Sequence, residues 1–226
     1  FGGYKSMTPQ ISIVDPNIIR TTPPEQTVYQ GFTALYHCTE CYISNKSNFM
    51  SHTYASAAIE AIYHFLPRAF VYGFDIKARS IIAYSSIMAG YAMELASFTS
   101  EHSLANTLCA FYPEIHPGAA VIMISRAYYE LIISKHVCDE RFVEMAGKMG
   151  LKDATQPLDF IAMLLDLQRN CGVNEMKMTN YDIDPEDFVP MAKRARATMG
   201  NCFKSDLYEL SEEDCVEIYC KSYYNS

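Results

Sequence analysis

No stretch of the 226 residues gathers the ~18 to 20 consecutive apolar side chains that a membrane-spanning helix needs. The richest run, Ala119 to Ser134, is broken by Arg126 and Glu130, so a spanning segment is not expected. Basic residues are also few: 18 Lys and Arg stand against 26 Asp and Glu, giving a net charge of −8. They are scattered, so no basic face is available for a phosphate backbone, and nucleic acid is not an expected partner. The start, Phe-Gly-Gly-Tyr-Lys, lacks the charged and apolar regions of a secretion signal. A glycine-rich phosphate loop is missing too, since neither the Gly-x-Gly-x-x-Gly nor the Walker pattern occurs.

Half of the residues are hydrophobic, enough to bury one sizeable core, and one domain over residues 1–226 is the natural reading. The eight cysteines follow no small-scaffold spacing. Many sit at apolar positions of helical patterns, which fits reduced thiols in a cytoplasmic protein. Cys38 and Cys41 form a lone Cys-x-x-Cys. With no second pair and no βαβ context, two buried helix thiols are a better reading than zinc or redox chemistry.

The chain opens with Ile11-Ser-Ile-Val14, an alternating β-branched stretch that reads as a short strand ended by Asp15-Pro16. Residues 1–23 are thus expected to be a strand and a connecting segment. Everything after reads as helix, beginning at Pro23-Pro24-Glu25 and running to about Tyr42. Ser44 to Ser51 reads as a polar loop, and Pro67 as an end or kink in a helix over Tyr54 to Val71. Asp75 opens a helix rich in Ala, Ser, Gly and Met, expected to be the central hub of the bundle. Further helices are marked by Pro117 to Lys135, Asp139 to Met149, Pro157 to Cys171, Pro185 to Met199 and Ser211 to Tyr223. Gly150, Gly172 and Gly200 close several of them, and Ser211-Glu-Glu-Asp214 resembles a capping box. The expected fold is all-α, a compact bundle of about eight or nine helices.

Of the six histidines, His37, His102 and His116 lie on or beside small-residue helices where a pocket can open, so metal ligation is worth considering. The segment Gly31-Phe-Thr-Ala-Leu-Tyr-His37-Cys-Thr-Glu40 resembles the Gly-x-Asp-Ala-Leu-x-His-x-x-Glu segment of the iron-containing (group III, metal-dependent) alcohol dehydrogenase family. Val14-Asp15-Pro16, Leu66-Pro67-Arg68-Ala69, Ala78-Arg79 and Ala89-Gly90 continue the likeness. Glu101-His102-Ser-Leu-Ala-Asn106 and Ile115-His116-Pro-Gly118 are similar to the family's paired-histidine segment.

That resemblance implies the family's C-terminal helical domain, of the dehydroquinate synthase-like kind, without the nucleotide-binding domain that normally precedes it. It also implies a divalent metal, iron or zinc, held by one Asp and three His, at positions that match Thr33, His37, His102 and His116. Positions 33 and 37 share a helical face. Thr33 departs from the pattern: a neutral hydroxyl neither offsets the ion's charge nor ligates a hard cation well. Affinity should fall, and occupied and emptied sites both stay open. Asn106 stands where members commonly carry a pocket histidine, and Asn cannot titrate. Met93 and Cys202 match positions lining an apolar slot for a small alcohol or aldehyde, though ordinary core packing explains them equally well. Glu40, one turn beyond His37, either accepts that ring's free N–H and orients it or is an ordinary solvated helix carboxylate.

The implied activity is NAD(P)-dependent interconversion of alcohol and aldehyde or ketone, with the nucleotide supplied by the domain not contained here. Self-association into a homo-oligomer is left open. The rival reading is a non-catalytic helical module that keeps the fold and has lost the chemistry.

Overall fold

The computed structural model describes residues 10–224, whose regular structure is helical, with no strand among them. Ten α-helices run in order: α1 Pro24–Ile43, α2 Phe49–Val71, α3 Ile76–Leu95, α4 Ser100–Phe111, α5 Pro117–Ser134, α6 Asp139–Lys148, α7 Leu158–Asn170, α8 Phe188–Thr198, α9 Gly200–Phe203 and α10 Glu212–Tyr224. Eight coincide with helices read from the sequence, and α4, which carries His102 and Asn106, was given no bounds there. The tenth, α9, is a single turn that starts at Gly200, where the sequence suggested only an ending.

The expected strand is not formed. Ile11 and Ile13 are 82% and 85% exposed, and an alternating stretch becomes a strand only when another strand pairs with it. The part of that opening segment over residues 1–9 lies outside the described residues. A 3-10 turn at Ile18–Thr21 then leads into α1.

Local chemistry explains most boundaries. Pro24 occupies the first turn of α1, where its missing N–H costs nothing. Helix α2 begins five residues earlier than its apolar pattern, because Asn48 accepts from the backbone N–H groups of Met50 and Ser51 and Ser51 Oγ accepts from Asn48 N. Pro67 neither ends nor breaks α2, which continues to Val71. Asp75 caps α3 by accepting from Ala78 N at 3.1 Å. Ser211 and Asp214 bond reciprocally at the start of α10, as the capping pattern suggested. Gly150 and Gly172 follow α6 and α7 with φ of +103° and +69°, values that penalise a side chain.

The hub is not α3. Fourteen of the twenty residues of α1 and fourteen of the eighteen of α5 are buried, against seven of twenty in α3. Helix α3 instead leaves Tyr84, Tyr91 and Leu95 exposed. Its small residues lower side-chain bulk on one face, and Ser86, Gly90 and Met93 there line open space against α1. Arg79 anchors the start of α3: buried, it donates to Thr27 Oγ1 (2.6 Å), the Gly73 carbonyl (2.8 Å) and the Thr22 carbonyl (3.0 Å). The buried apolar side chains form one connected core. No single described helix is long and apolar enough to cross a membrane.

Candidate functional site

Two adjoining cavities share residues of α1 and α3, and the second is also lined by α4. The first, about 540 Å³, is lined by Thr33, His37, Ser86, Gly90, Met93 and His116, among others. The second, about 730 Å³, is lined by His37, Met93, Phe98, His102, Asn106, Met199, Cys202 and Lys204, with the α8–α9 segment as its far wall. His37 and Met93 face both. The structure therefore gathers every pocket residue inferred from the sequence except Glu40, which lines a smaller void beneath them with Thr33, His37, His102 and Asn106.

His37 and His102 approach with ring centroids 5.6 Å apart, and Phe98 packs against both, stacked on His102 at 4.0 Å and tilted against His37 at 5.1 Å. Burial brings the imidazole of His37 down to about 4, with a smaller push from His102, and burial alone brings His102 to about 4. Both rings are therefore neutral near pH 7, able to accept at one nitrogen and donate at the other. Asn106 Nδ2 has only a weak contact at 3.7 Å with Met199 Sδ, leaving its amide available to a ligand.

The N-terminus of α4, which carries His102 and Asn106, is held by carboxyl groups from two distant segments. Glu40 Oε1 accepts from Thr99 N (3.1 Å), Thr99 Oγ1 (3.0 Å) and His102 N (3.0 Å). Asp206 Oδ1 accepts from Ser100 N (3.0 Å) and from the Tyr128 hydroxyl (3.3 Å). These bonds satisfy amides that a helix start leaves without intrahelical partners. Burial nevertheless outweighs the bonds and raises Glu40 to about 8 and Asp206 to about 7. Glu40 Oε2 lies 3.7 Å from His102 Nδ1, so the residue expected to orient His37 sits against His102 instead. With an acid near 8 and an imidazole near 4, that approach is not an ion pair at neutral pH. Glu101, the neighbour of His102, points into the core and accepts from the Tyr129 hydroxyl at 2.5 Å.

The donors inferred for a metal do not converge. Thr33 Oγ1 donates to the Tyr29 carbonyl at 2.8 Å, a helix-internal bond. The His116 ring stacks on Tyr29 at 4.7 Å, and its Nδ1 accepts the Gly118 N–H at 3.0 Å, which occupies that lone pair. Among the described residues, no group of three or more His, Cys, Asp or Glu side chains is placed to hold one metal ion. The residues present thus do not fit the family's ion as they stand. Cys38 and Cys41 are fully buried free thiols, with burial pushing Cys41 up to about 12 and Cys38 well above the ordinary thiol value, which matches the core reading.

Sequence reasoning missed Phe98, Met199 and Lys204, all on non-helical joints or helix ends where no periodicity marks them, and Asp206, whose partner lies 106 residues away. For Phe98, its position four residues before His102 was the one available signal.

Residues 27–223 match the family described as Fe-containing alcohol dehydrogenase family, C-terminal. The chain belongs to this family. It is 28% identical over 218 residues to alcohol dehydrogenase 4 of Saccharomyces cerevisiae, covering 96% of this chain and 56% of that protein. It is 30% identical over 221 residues to the 1,3-propanediol dehydrogenase of Citrobacter freundii, covering 95% and 55%. Among solved structures, an alcohol dehydrogenase from an archaeal halo-thermophilic Red Sea brine pool superposes with a TM-score of 0.89 at 27% identity, covering 95% of this chain and 55% of that one. The chain spans about half the length of the relatives it matches.

Proposed function

We propose that this chain forms the substrate-facing helical half of a nicotinamide-dependent alcohol dehydrogenase, acting on a small alcohol or its aldehyde or ketone. The observation that carries this reading is the larger cavity, where His37, His102 and Asn106 form a polar end against an apolar wall of Met93, Phe98, Met199 and Cys202. Such a slot, apolar with a few convergent polar groups, suits a short carbon chain bearing one oxygen. Hydride transfer needs NAD or NADP, and no phosphate-cradling loop occurs in the sequence, so the cofactor must face the slot from another unit.

In this reading the neutral imidazoles and the Asn106 amide hold the substrate oxygen, while Met93 and Cys202 confine the carbon end and exclude water. Glu40 acts through the backbone, fixing the start of α4 and hence the placement of His102. Among the described residues, His37, His102 and His116 would be the ligands for the family's iron or for zinc, and binding would be weak because Thr33 supplies no charge and His116 would have to leave Tyr29. The same reading puts the protein in the cytoplasm, in keeping with eight unpaired thiols.

A second reading has specific support: with Thr33 and Asn106 at two positions that normally carry chemistry, the domain is a non-catalytic module that retained its slot. Methyl-labelled methionine spectra tests the slot itself. Titrating a short alcohol into the purified chain is expected to shift the Met93 and Met199 methyl signals first; shifts confined to other methionines, or none, would sink the reading. Turnover with nicotinamide cofactor, once the complete protein is assembled, separates enzyme from module.

A further inference from the structure

Helix α3 carries three stripes of side chains. Ile82, Ser85, Ala89 and Ala92 are buried and face the bundle, whereas Ser86, Gly90 and Met93 line the first cavity. The third stripe, Tyr84, Met88, Tyr91 and Leu95, recurs at intervals of four, three and four residues, the spacing of one apolar helix face. Three of its members stand in solvent: Tyr84 is 56% exposed, Tyr91 55% and Leu95 42%. The start of α2 extends the stripe. Asn48 Nδ2 donates to the Leu95 carbonyl at 2.8 Å, which sets Phe49, 84% exposed, beside its end. Tyr54 supports the middle, its ring 5.4 Å from that of Tyr91. A contiguous apolar row of this kind on a protein surface marks a contact with another molecule.

We propose that this row is where a second copy of the chain docks, α3 against α3 in antiparallel sense about a two-fold axis. The spacing selects a second copy because it reads the same from both ends. With the axis between Met88 and Tyr91, Tyr84 of one protomer meets Leu95 of its partner and Met88 meets Tyr91, so the stripe is its own complement. The area agrees. At roughly 200 Å² to an aromatic side chain, the exposed fractions of Tyr84, Tyr91 and Phe49 come to about 400 Å². That is about half of the ~800 Å² each partner gives to a stable interface, and since such interfaces are about 56 to 65% apolar, Leu95, Met88 and a polar rim supply the rest. The stripe also points away from Ser86, Gly90 and Met93, so docking there leaves the cavity side of α3 open.

Sedimentation equilibrium of the purified chain, across about two decades of concentration, is expected to show a monomer–dimer equilibrium. Tyr91→Ser and Tyr84→Ser should each weaken it at least about tenfold, because a change at a two-fold interface is present twice. Both side chains are more than half exposed, so the variants should keep the helical circular dichroism of the parent. Added salt should tighten the dimer, since each copy carries a net charge of −8 and the contact itself is apolar. For the register, Tyr84→Cys chains mixed with Leu95→Cys chains and a thiol oxidant should form a disulfide-linked dimer that neither variant forms alone. A monomer at every concentration overturns the proposal and gives the stripe to another partner. A dimer indifferent to both serine substitutions overturns it as well, as does one that salt weakens or one that cross-links only between like positions.

Discussion

Glu40 and His102 are joined through the backbone: Glu40 Oε1 accepts the His102 N–H at 3.0 Å, so a side chain from α1 sets where α4 begins. The same oxygen takes both donors of Thr99. Since burial leaves this carboxyl protonated up to about 8, the amide of Gln is close to it in both shape and charge at pH 7. Glu40→Gln should therefore lie within ~1 kcal/mol of the parent in urea unfolding. Glu40→Ala strips three buried donors of their acceptor and should cost roughly 3 kcal/mol or more, given about 1 to 3 kcal/mol for each orphaned group. Equal losses for the two variants would show that the cap is not what holds α4.

Helix α5 starts where Gly118 meets the Tyr29 backbone. A β-carbon at 118 would sit 2.9 Å from both Tyr29 Cα and its carbonyl oxygen, atoms that belong to the interior of α1. At Gly31 the obstruction is the end of the Leu66 side chain, its two methyl carbons, and a leucine end can rotate. Gly118→Ala should accordingly destabilise by more than Gly31→Ala, the latter falling near the ~1 to 3 kcal/mol typical of overpacking. Thermal unfolding of the two variants gives the order directly, and a reversed order would refute the argument.

Asp206 makes stability depend on pH. Its folded pKa of about 7 lies above the ordinary value of 3.8, so folding favours the protonated form. The stability it contributes is full below about pH 4, declines as pH rises and levels off above about pH 7. Asp206→Asn removes this proton exchange, so urea midpoints compared at about pH 5 and pH 7.5 should fall less for the variant than for the parent. Parallel falls would mean that Asp206 is ionised in the fold.

Thr33, at the position where the family's carboxylate is expected, is the residue to test for metal affinity. After growth with iron and zinc, the chain should retain well below one equivalent per protomer, and Thr33→Asp should raise affinity by at least about tenfold, in line with the penalties seen when metal-site groups are altered. Elemental analysis decides this. One equivalent in the parent would show that three imidazoles suffice once His116 leaves Tyr29; no gain in the variant would show that the stacked His116 is the obstacle.

Much of the architecture was legible because helix boundaries are local. Asp75, Ser211 and Gly150 each act within a few residues, and the sequence marks them plainly. The strand at Ile11–Val14 failed because a strand depends on a partner that periodicity cannot supply. The centrality of α3 failed for a related reason: small residues mark either close packing or open space, and only three dimensions tell which. Within the candidate site, His37, His102, Asn106, Met93 and Cys202 were named through the family's spacing, and they line one cavity. His116 and Glu40 were placed in that neighbourhood but their orientations, against Tyr29 and His102, depend on packing that spacing does not encode.

The two carboxyl groups that seat α4 come from residues 40 and 206, on either side of it in the chain. During synthesis on a ribosome, α4 emerges long before its second clamp exists. The slot thus becomes complete only when nearly the whole domain has been made, and a nascent chain halted before residue 206 should expose Met93 and Phe98 to chaperones and proteases. Limited proteolysis of stalled chains of increasing length should show protection of this region arriving in one late step, after Asp206 leaves the exit tunnel.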